Sequence, residues 1–294
     1  MPARQTTGQK IFNLFNIIFL SLVCVLCFIP FIHILAISLS DNSAVTGNLV
    51  RFWPVRFTWE PYSYVLNREA FWRAFGITLE RAAIGTTLNV ALVILLAYPL
   101  SKSKEKFRMR AVYVWVFFFT MLFNGGLIPT YILVKELGIM NTIWALVLPG
   151  AVTVFNVILM LNFFRQVPEE MEDAANIDGA SHWRTLWQIY VPVSTPAIAT
   201  ITLFCLVAHW NSWFDGLIYM QNAKNYPLQS YLQTIVVKFN FATMSATEAE
   251  RLAKLNDRSV KGAQMIVAAI PILLAYPFLQ KYFVSGIRLG SVKG

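Results

Sequence analysis

Apolar residues gather into six long blocks along this chain, separated by short polar stretches. The blocks fall at Ile11–Ser38, Ile77–Leu100, Ala111–Val134, Thr142–Phe164, Val193–Tyr219 and Gly262–Phe283. Each approaches the roughly 20 residues a helix needs to cross a hydrocarbon core about 30 Å thick. The pattern therefore predicts an all-α membrane protein with six transmembrane helices, one domain over residues 1–294. The first block is too long for a secretory leader, and no small-residue cleavage site follows a short apolar core. It is expected as a retained helix with Pro30 near its outer end. Asn124-Gly125-Gly126, followed by Pro129, should break the third block. Irregular backbone at membrane depth is tolerated where protein or a cavity covers it, which makes this break a gate or hinge candidate.

Composition agrees. Hydrophobic residues make up 57% and charged residues 13% of the chain, and the mean hydropathy of +0.56 lies outside the range of ordinary soluble domains. Orientation rests on the short linker Ser101–Arg110, which carries Lys102, Lys104, Lys106, Arg108 and Arg110. Dense positive charge in a short loop marks the cytoplasmic side. With six spans, both termini and the loop 165–192 are then cytoplasmic. The overall Lys and Arg tally is even between the two sides, but its outer half lies mostly in the longer segments 41–76 and 220–261. Long loops cross with weaker regard for charge.

Little in the chain suits chemistry. No G-x-x-x-x-G-K-[ST] loop is present to cradle nucleotide phosphates, and no H-E-x-x-H is present. His33, His182 and His209 are far apart in sequence, so no metal site is expected. Cys24, Cys27 and Cys205 all lie in apolar spans, where a thiol packs as a small hydrophobe. The net charge of +9 reflects basic residues at membrane edges; no basic patch interleaved with aromatics points to nucleic acid. A noncatalytic subunit is the expectation.

The polar loop between the fourth and fifth blocks is the most ordered of the connections. Pro168 suits a helix start. Glu169, Glu170, Glu172 and Asp173 complement the positive end of the helix dipole. Ala174-Ala175 keeps one side small enough for close approach by another protein. Asp178-Gly179 then breaks the helix, since glycine accepts the left-handed conformation a sharp turn needs. A second short helix from about Ser181 should place Trp183, Leu186, Trp187 and Tyr190 on one apolar side.

This loop resembles the EAA loop of binding-protein-dependent ABC importer permeases. Asp173-Ala174-Ala175 with Asp178-Gly179-Ala180 matches the family's Glu-Ala-Ala and Asp-Gly-Ala pattern, with Asp173 at the usual Glu position and Glu172 beside it as a substitute. The resemblance extends to NGGLIPTYILVKELGIMNTIWALVLPGAV (124–152), NFFRQVP (162–168), HWNSWFDGLIYM (209–220) and IRLGSVKG (287–294). These look like the smaller, maltose-type permease of oligosaccharide importers, with the alginate importer as one candidate. The resemblance implies a type I ABC importer transmembrane domain in the bacterial cytoplasmic membrane. It also implies a homologous second permease, two ATPase subunits holding ATP and Mg, and an extracytoplasmic solute-binding protein. The segment 165–192 would then be the coupling-helix loop, 220–261 an outer loop meeting the binding protein, and 285–294 a cytoplasmic tail.

Polar residues inside the spans mark a candidate solute path, because a charge at the centre of a span costs on the order of 2.5–3.5 kcal/mol and usually faces protein or water. Asn211 and Asp215 are four apart, as on one helix face, with Trp210 alongside; aromatic faces and hydrogen-bonding groups together suit a saccharide. Asn156 is a further candidate. Arg51, Arg56, Arg68 and Arg73 place cations in the outer loop and favour an acidic oligosaccharide, such as an alginate- or pectin-derived uronate chain. The alternatives are a neutral-sugar importer, a secondary transporter, which would need a coupling-ion site and internal repeats, or a membrane scaffold.

Overall fold

The computed structural model describes residues 6–237 and 256–291. Residues 238–255 of the expected outer loop, and residues 292–294 of the tail, lie outside these. Helices account for almost all regular structure, and an isolated antiparallel bridge joins Ser40 to Phe57. Helix α1 spans Thr7–Ser38 and opens on a capping box, with Thr6 Oγ1 accepting from Gln9 N and Gln9 Oε1 accepting from Thr6 N. Its apolar residues from Ile11 to Leu35 point outward on every side. Such a helix has no hydrophilic face for water and belongs in lipid or against another span.

The chain forms two compact units, residues 1–69 with 236–269, and residues 70–235 with 270–294. In the first, the end of α1 (Ala36, Ile37) packs on the short helix α2 (Asn42–Thr46) through Ala44 and Val45. Asp41 caps α2 by accepting from Ser43 N at 3.1 Å. Helix α3 (Glu60–Leu66) is tied in by a 2.8 Å hydrogen bond between the Ser38 and Tyr62 hydroxyls. Asn256 Nδ2 donates to Thr46 Oγ1 at 2.9 Å. A Cβ on Gly262 would meet Ile34 O and Ser38 Cβ, each at 3.2 Å, so only glycine allows that close crossing.

The second unit is built on α4 (Glu69–Ser101). Its buried residues, Phe71, Ala74, Thr78, Ala82, Gly85, Asn89, Val93, Ala97 and Leu100, recur every three or four positions and form one continuous stripe. That stripe meets Val157, Met160 and Phe164 of α8 (Val154–Phe164), Ala197 and Ile201 of α12 (Thr195–Asn211), and Leu186 and Tyr190 between them.

Three expected spans are broken. Helices α5 (Arg110–Leu122) and α6 (Leu127–Glu136) are bent by 111° at residues 123–126. There Gly126 takes φ +87° and its N–H donates to Asn124 Oδ1 at 2.9 Å. Helix α7 (Ile143–Val147), with a 3₁₀ turn at Leu148–Gly150, is bent by 54° against α8, next to Pro149. The segment His182–Val193 turns by 83° into α12, where Pro192 and Pro196 flank the corner. Among the described residues, two helices are long and apolar enough to cross a membrane unbroken, and up to five are if each bent pair counts as one. The sixth expected span lies within the continuous helix α15 (Asp257–Ser291), which runs through most of the expected tail.

Two expectations fail on local geometry. Asn211 and Asp215 do not share a helix face: α12 stops at Asn211, Ser212 is extended (ψ 125°), and Asp215 belongs to α13 (Phe214–Tyr219). The cause is the Asp215 carboxylate, whose Oδ1 accepts from Ser212 Oγ and from Gly216 N, both at 2.9 Å. These local bonds offer the chain an alternative to the helix ladder. Nor do Trp183, Leu186, Trp187 and Tyr190 form one apolar side. Leu186 and Tyr190 are buried, while Trp183 and Trp187 are exposed and meet edge-on. Residues 186–190 form a π-turn, whose wider pitch shifts the register of the faces.

Candidate functional site

The loop after α8 folds as two short helices joined by a tight turn. Helix α9 (Glu169–Ile177) carries three acidic residues in its first turn. It ends in paired bonds, Gly179 N to Asn176 O at 3.1 Å and Ala180 N to Ala175 O at 2.9 Å, with Gly179 at φ +73°. This is a Schellman closure, which needs a residue comfortable in the left-handed region. Ser181 then caps α10 (His182–Thr185), its hydroxyl accepting from Arg184 N. Between the two helices lies a cleft of about 300 Å³ lined by Ala174, Ala175, Asp178, Ala180, Arg184 and Gln188, among others.

The adjacent carboxylates Glu172 and Asp173 of α9 part company. Asp173 is exposed, 3.7 Å from Lys106 Nζ. Glu172 is 4% exposed and faces inward. Its Oε2 lies 3.0 Å from Lys102 Nζ and accepts from the Tyr190 hydroxyl at 2.8 Å, and its Oε1 lies 3.6 Å from Lys106 Nζ. Burial acts against charge on both partners and pushes the Lys102 ammonium down. For Glu172, burial raises the carboxyl, but the contacts with Lys102, Tyr190 and Lys106 outweigh it and the net shift is downward. Of this pair, Asp173, with Ala174 beside it, is therefore the acid left on the outer face, where Glu169 and Glu170 are exposed as well. The basic linker and the acidic loop, far apart in sequence, meet here.

The expected path residues scatter. Asn156 is buried, donating from Nδ2 to Cys205 Sγ at 3.4 Å. Trp210 is buried with its ring edge-on to Phe75 at 5.8 Å. Asn211 is exposed, and Trp213 and Phe214 are exposed next to it. Asp215 is paired with Arg81, whose guanidinium also donates to Ser212 O and Leu146 O, both at 3.3 Å. The break residues Asn124, Gly125 and Gly126 all lie at an exposed position.

Sequence reading missed Lys102 and Arg81 as partners of these acids. Lys102 bears on topology alone in the sequence, and no pattern there links Arg81 to Asp215. Tyr98 four residues before Lys102 at a helix end was the one available signal for the lysine's surroundings.

Comparison with known proteins agrees with this geometry. Residues 89–289 match the family described as binding-protein-dependent transport system inner membrane component. The chain is 37% identical to Protein LplC of Bacillus subtilis (strain 168), over 99% of this chain and 97% of that one. It is 35% identical to the polygalacturonan/rhamnogalacturonan transport system permease protein YtcP of the same strain, over 97% and 99%. A chain in the crystal structure of a bacterial ABC transporter involved in the import of the acidic polysaccharide alginate superposes with a TM-score of 0.86 and 32% identity, covering 95% of this chain and 99% of that one. With its helical architecture, its short two-helix loop and these full-length likenesses, the chain belongs to the binding-protein-dependent transport system inner membrane components, the permeases of ABC importers, and has their all-α type I transmembrane fold.

Proposed function

We propose that this permease imports acidic oligosaccharides, uronate chains of the alginate or pectin class, delivered by an extracytoplasmic solute-binding protein. One observation carries the reading: full-length likeness to a polygalacturonan/rhamnogalacturonan permease and to an alginate importer, two systems for acidic polysaccharides. The exposed arginines Arg51, Arg56 and Arg73 fit an anionic cargo. The chain pairs with a homologous second permease, and two ATPase subunits bind ATP and Mg. One of them docks on the 165–192 loop through the outer face of α9, Asp173 and Ala174 first, with Ala175, Asp178, Gly179 and Ala180 shaping the cleft and Glu172 anchoring it. Closure of the ATPases on ATP draws the paired loops together and opens the cavity outward; hydrolysis restores the inward-facing state. Both termini lie in the cytoplasm, in keeping with the pairing of linker and loop.

Asn211, with Trp213 and Phe214, supplies the solute contact, while Asp215, Trp210 and Asn156 hold the surrounding helices in place. The turn at Asn124–Gly126 serves as a hinge, and the segment 220–261 meets the binding protein. The test is ATP hydrolysis by the reconstituted complex with its binding protein, across oligogalacturonates, oligoalginates and malto-oligosaccharides. Uronates should stimulate hydrolysis and malto-oligosaccharides should not. The reverse pattern makes this a neutral-sugar permease.

A further inference from the structure

The contact between linker and docking loop is more elaborate than a topology marker needs. Besides its 3.0 Å approach to Glu172, Lys102 Nζ lies 4.0 Å from the centre of the Tyr98 ring and 4.1 Å from that of Tyr190. The two tyrosine rings meet edge-on at 5.0 Å, and Phe164 closes the box against both, at 6.5 Å and 5.4 Å. Lys102 is 8% exposed. Four residues, from the end of α4, α8, α9 and the π-turn, thus gather around the ammonium group of one linker residue.

An ammonium taken out of water is held there by ring faces and a carboxylate aimed at it. Apolar side chains of similar size would fill the same space without the desolvation cost. What the charge adds is direction: the carboxylate and two ring faces fix where the lysine sits, whereas an apolar plug can slide. The place is also the one where a brace matters. Pro99 interrupts the hydrogen bonding of the last turn of α4, so without a cross-link this end of the helix would bend rather than transmit force. At 1.5 Å per residue, the 21 positions from Lys102 back to Arg81 place the Arg81–Asp215 pair about 30 Å up the same helix, beside Asn211.

We propose that Lys102 is a positioning residue for transport: caged by Tyr98, Tyr190 and Glu172, it clamps the docking loop to α4 so that loop and span move as one body. The inference rests on the reading of this chain as a permease driven through that loop. It assigns Glu172 to the permease's own interior and leaves Asp173 among the acids offered to the ATPase.

The test uses the complete complex with the native cysteines replaced and spin labels at Thr87, on the exposed side of α4, and at His182, on the loop. Distances are measured without nucleotide and with ATP, Mg and vanadate. In the parent complex the distance should be the same in both states. In Lys102→Met it should shift or broaden in at least one state, with a matching loss in the solute-stimulated part of ATP hydrolysis. A parent distance that changes between states overturns the proposal, as does a Lys102→Met complex that matches the parent in both. If Lys102→Met does not assemble, Tyr190→Phe, which removes only the hydroxyl's bond to Glu172, carries the same comparison. A parent complex that binds and hydrolyses ATP without any nucleotide-dependent change elsewhere in the permease would fault the transport reading and not the cage.

Discussion

Removing the Asp215 carboxylate should cost more stability than removing its arginine. Arg81 is 3% exposed at its side chain and Asp215 is 23% exposed. In Asp215→Ala the guanidinium keeps two backbone carbonyls, Ser212 O and Leu146 O, but loses its counter-charge inside a helix bundle. Breaking a buried pair in this way costs about 3–5 kcal/mol, because the remaining charge stays uncompensated. In Arg81→Met the carboxylate keeps its bonds from Ser212 Oγ and Gly216 N and reaches water, so about 1–3 kcal/mol is lost. The double variant Arg81→Met/Asp215→Ala has no stranded charge and should be more stable than Asp215→Ala alone. Equilibrium unfolding in mixed detergent micelles, run as a double-mutant cycle, measures all three. Asp215→Ala unfolding like the parent, or a double variant equal to the sum of the singles, would refute a structural pair. Asp215 would then be free to serve the solute directly.

Gly179→Val forces a β-branched residue to φ +73° at a strain of about 1–2 kcal/mol; no neighbour lies within 4 Å, so the effect is conformational. The complex should assemble weakly or hydrolyse ATP without transport, and normal uptake would remove the docking role of this turn. Glu172 is held below the usual glutamate value by its partners, so its contribution is whole above the unfolded pKa of about 4.3 and fades as pH falls through the lower folded value. The stability gap between the parent and Glu172→Gln should therefore hold steady above about pH 4.3 and narrow as pH falls below it, read by the same unfolding assay; a gap that does not narrow in acid disproves the shift. Gly85→Ala would push a Cβ into the His209 ring, with Cδ2 at 2.8 Å, and should cost about 1–3 kcal/mol by overpacking; an unchanged unfolding midpoint would mean that the ring yields freely. Asn211→Ala should alter solute preference at unchanged stability, since its side chain is exposed; a destabilised variant with unaltered preference removes it from the path.

Much of the architecture is legible in the chain because membrane spans and helix stops are local. Apolar runs place the spans, Asn124-Gly125-Gly126 places the sharp bend, and Asp178-Gly179 places the Schellman turn. What stayed hidden depends on groups far apart in sequence or on small departures from ideal geometry. Spacing by four put Asn211 and Asp215 on one face, but the bonds from Ser212 and Gly216 to Asp215 end the helix between them. Trp183 and Trp187 look continuous with Leu186 and Tyr190 until the π-turn shifts their register. No periodicity links Lys102 to Glu172 or Arg81 to Asp215; such pairs appear when helices pack. Asn156 and Trp210 look like path residues by type, and only the packing of α8 and α12 reveals that both are enclosed.

The central claim is ATP-driven import of acidic oligosaccharides through this chain. Its most direct measurement is uptake of labelled oligogalacturonate into vesicles carrying the two permeases and the ATPase, with the binding protein outside and ATP within. The account predicts uptake that requires both ATP and the binding protein, survives collapse of ion gradients, and is not competed by malto-oligosaccharides. Uptake driven by an ion gradient without ATP, or uptake of malto-oligosaccharides with none of uronates, would contradict it.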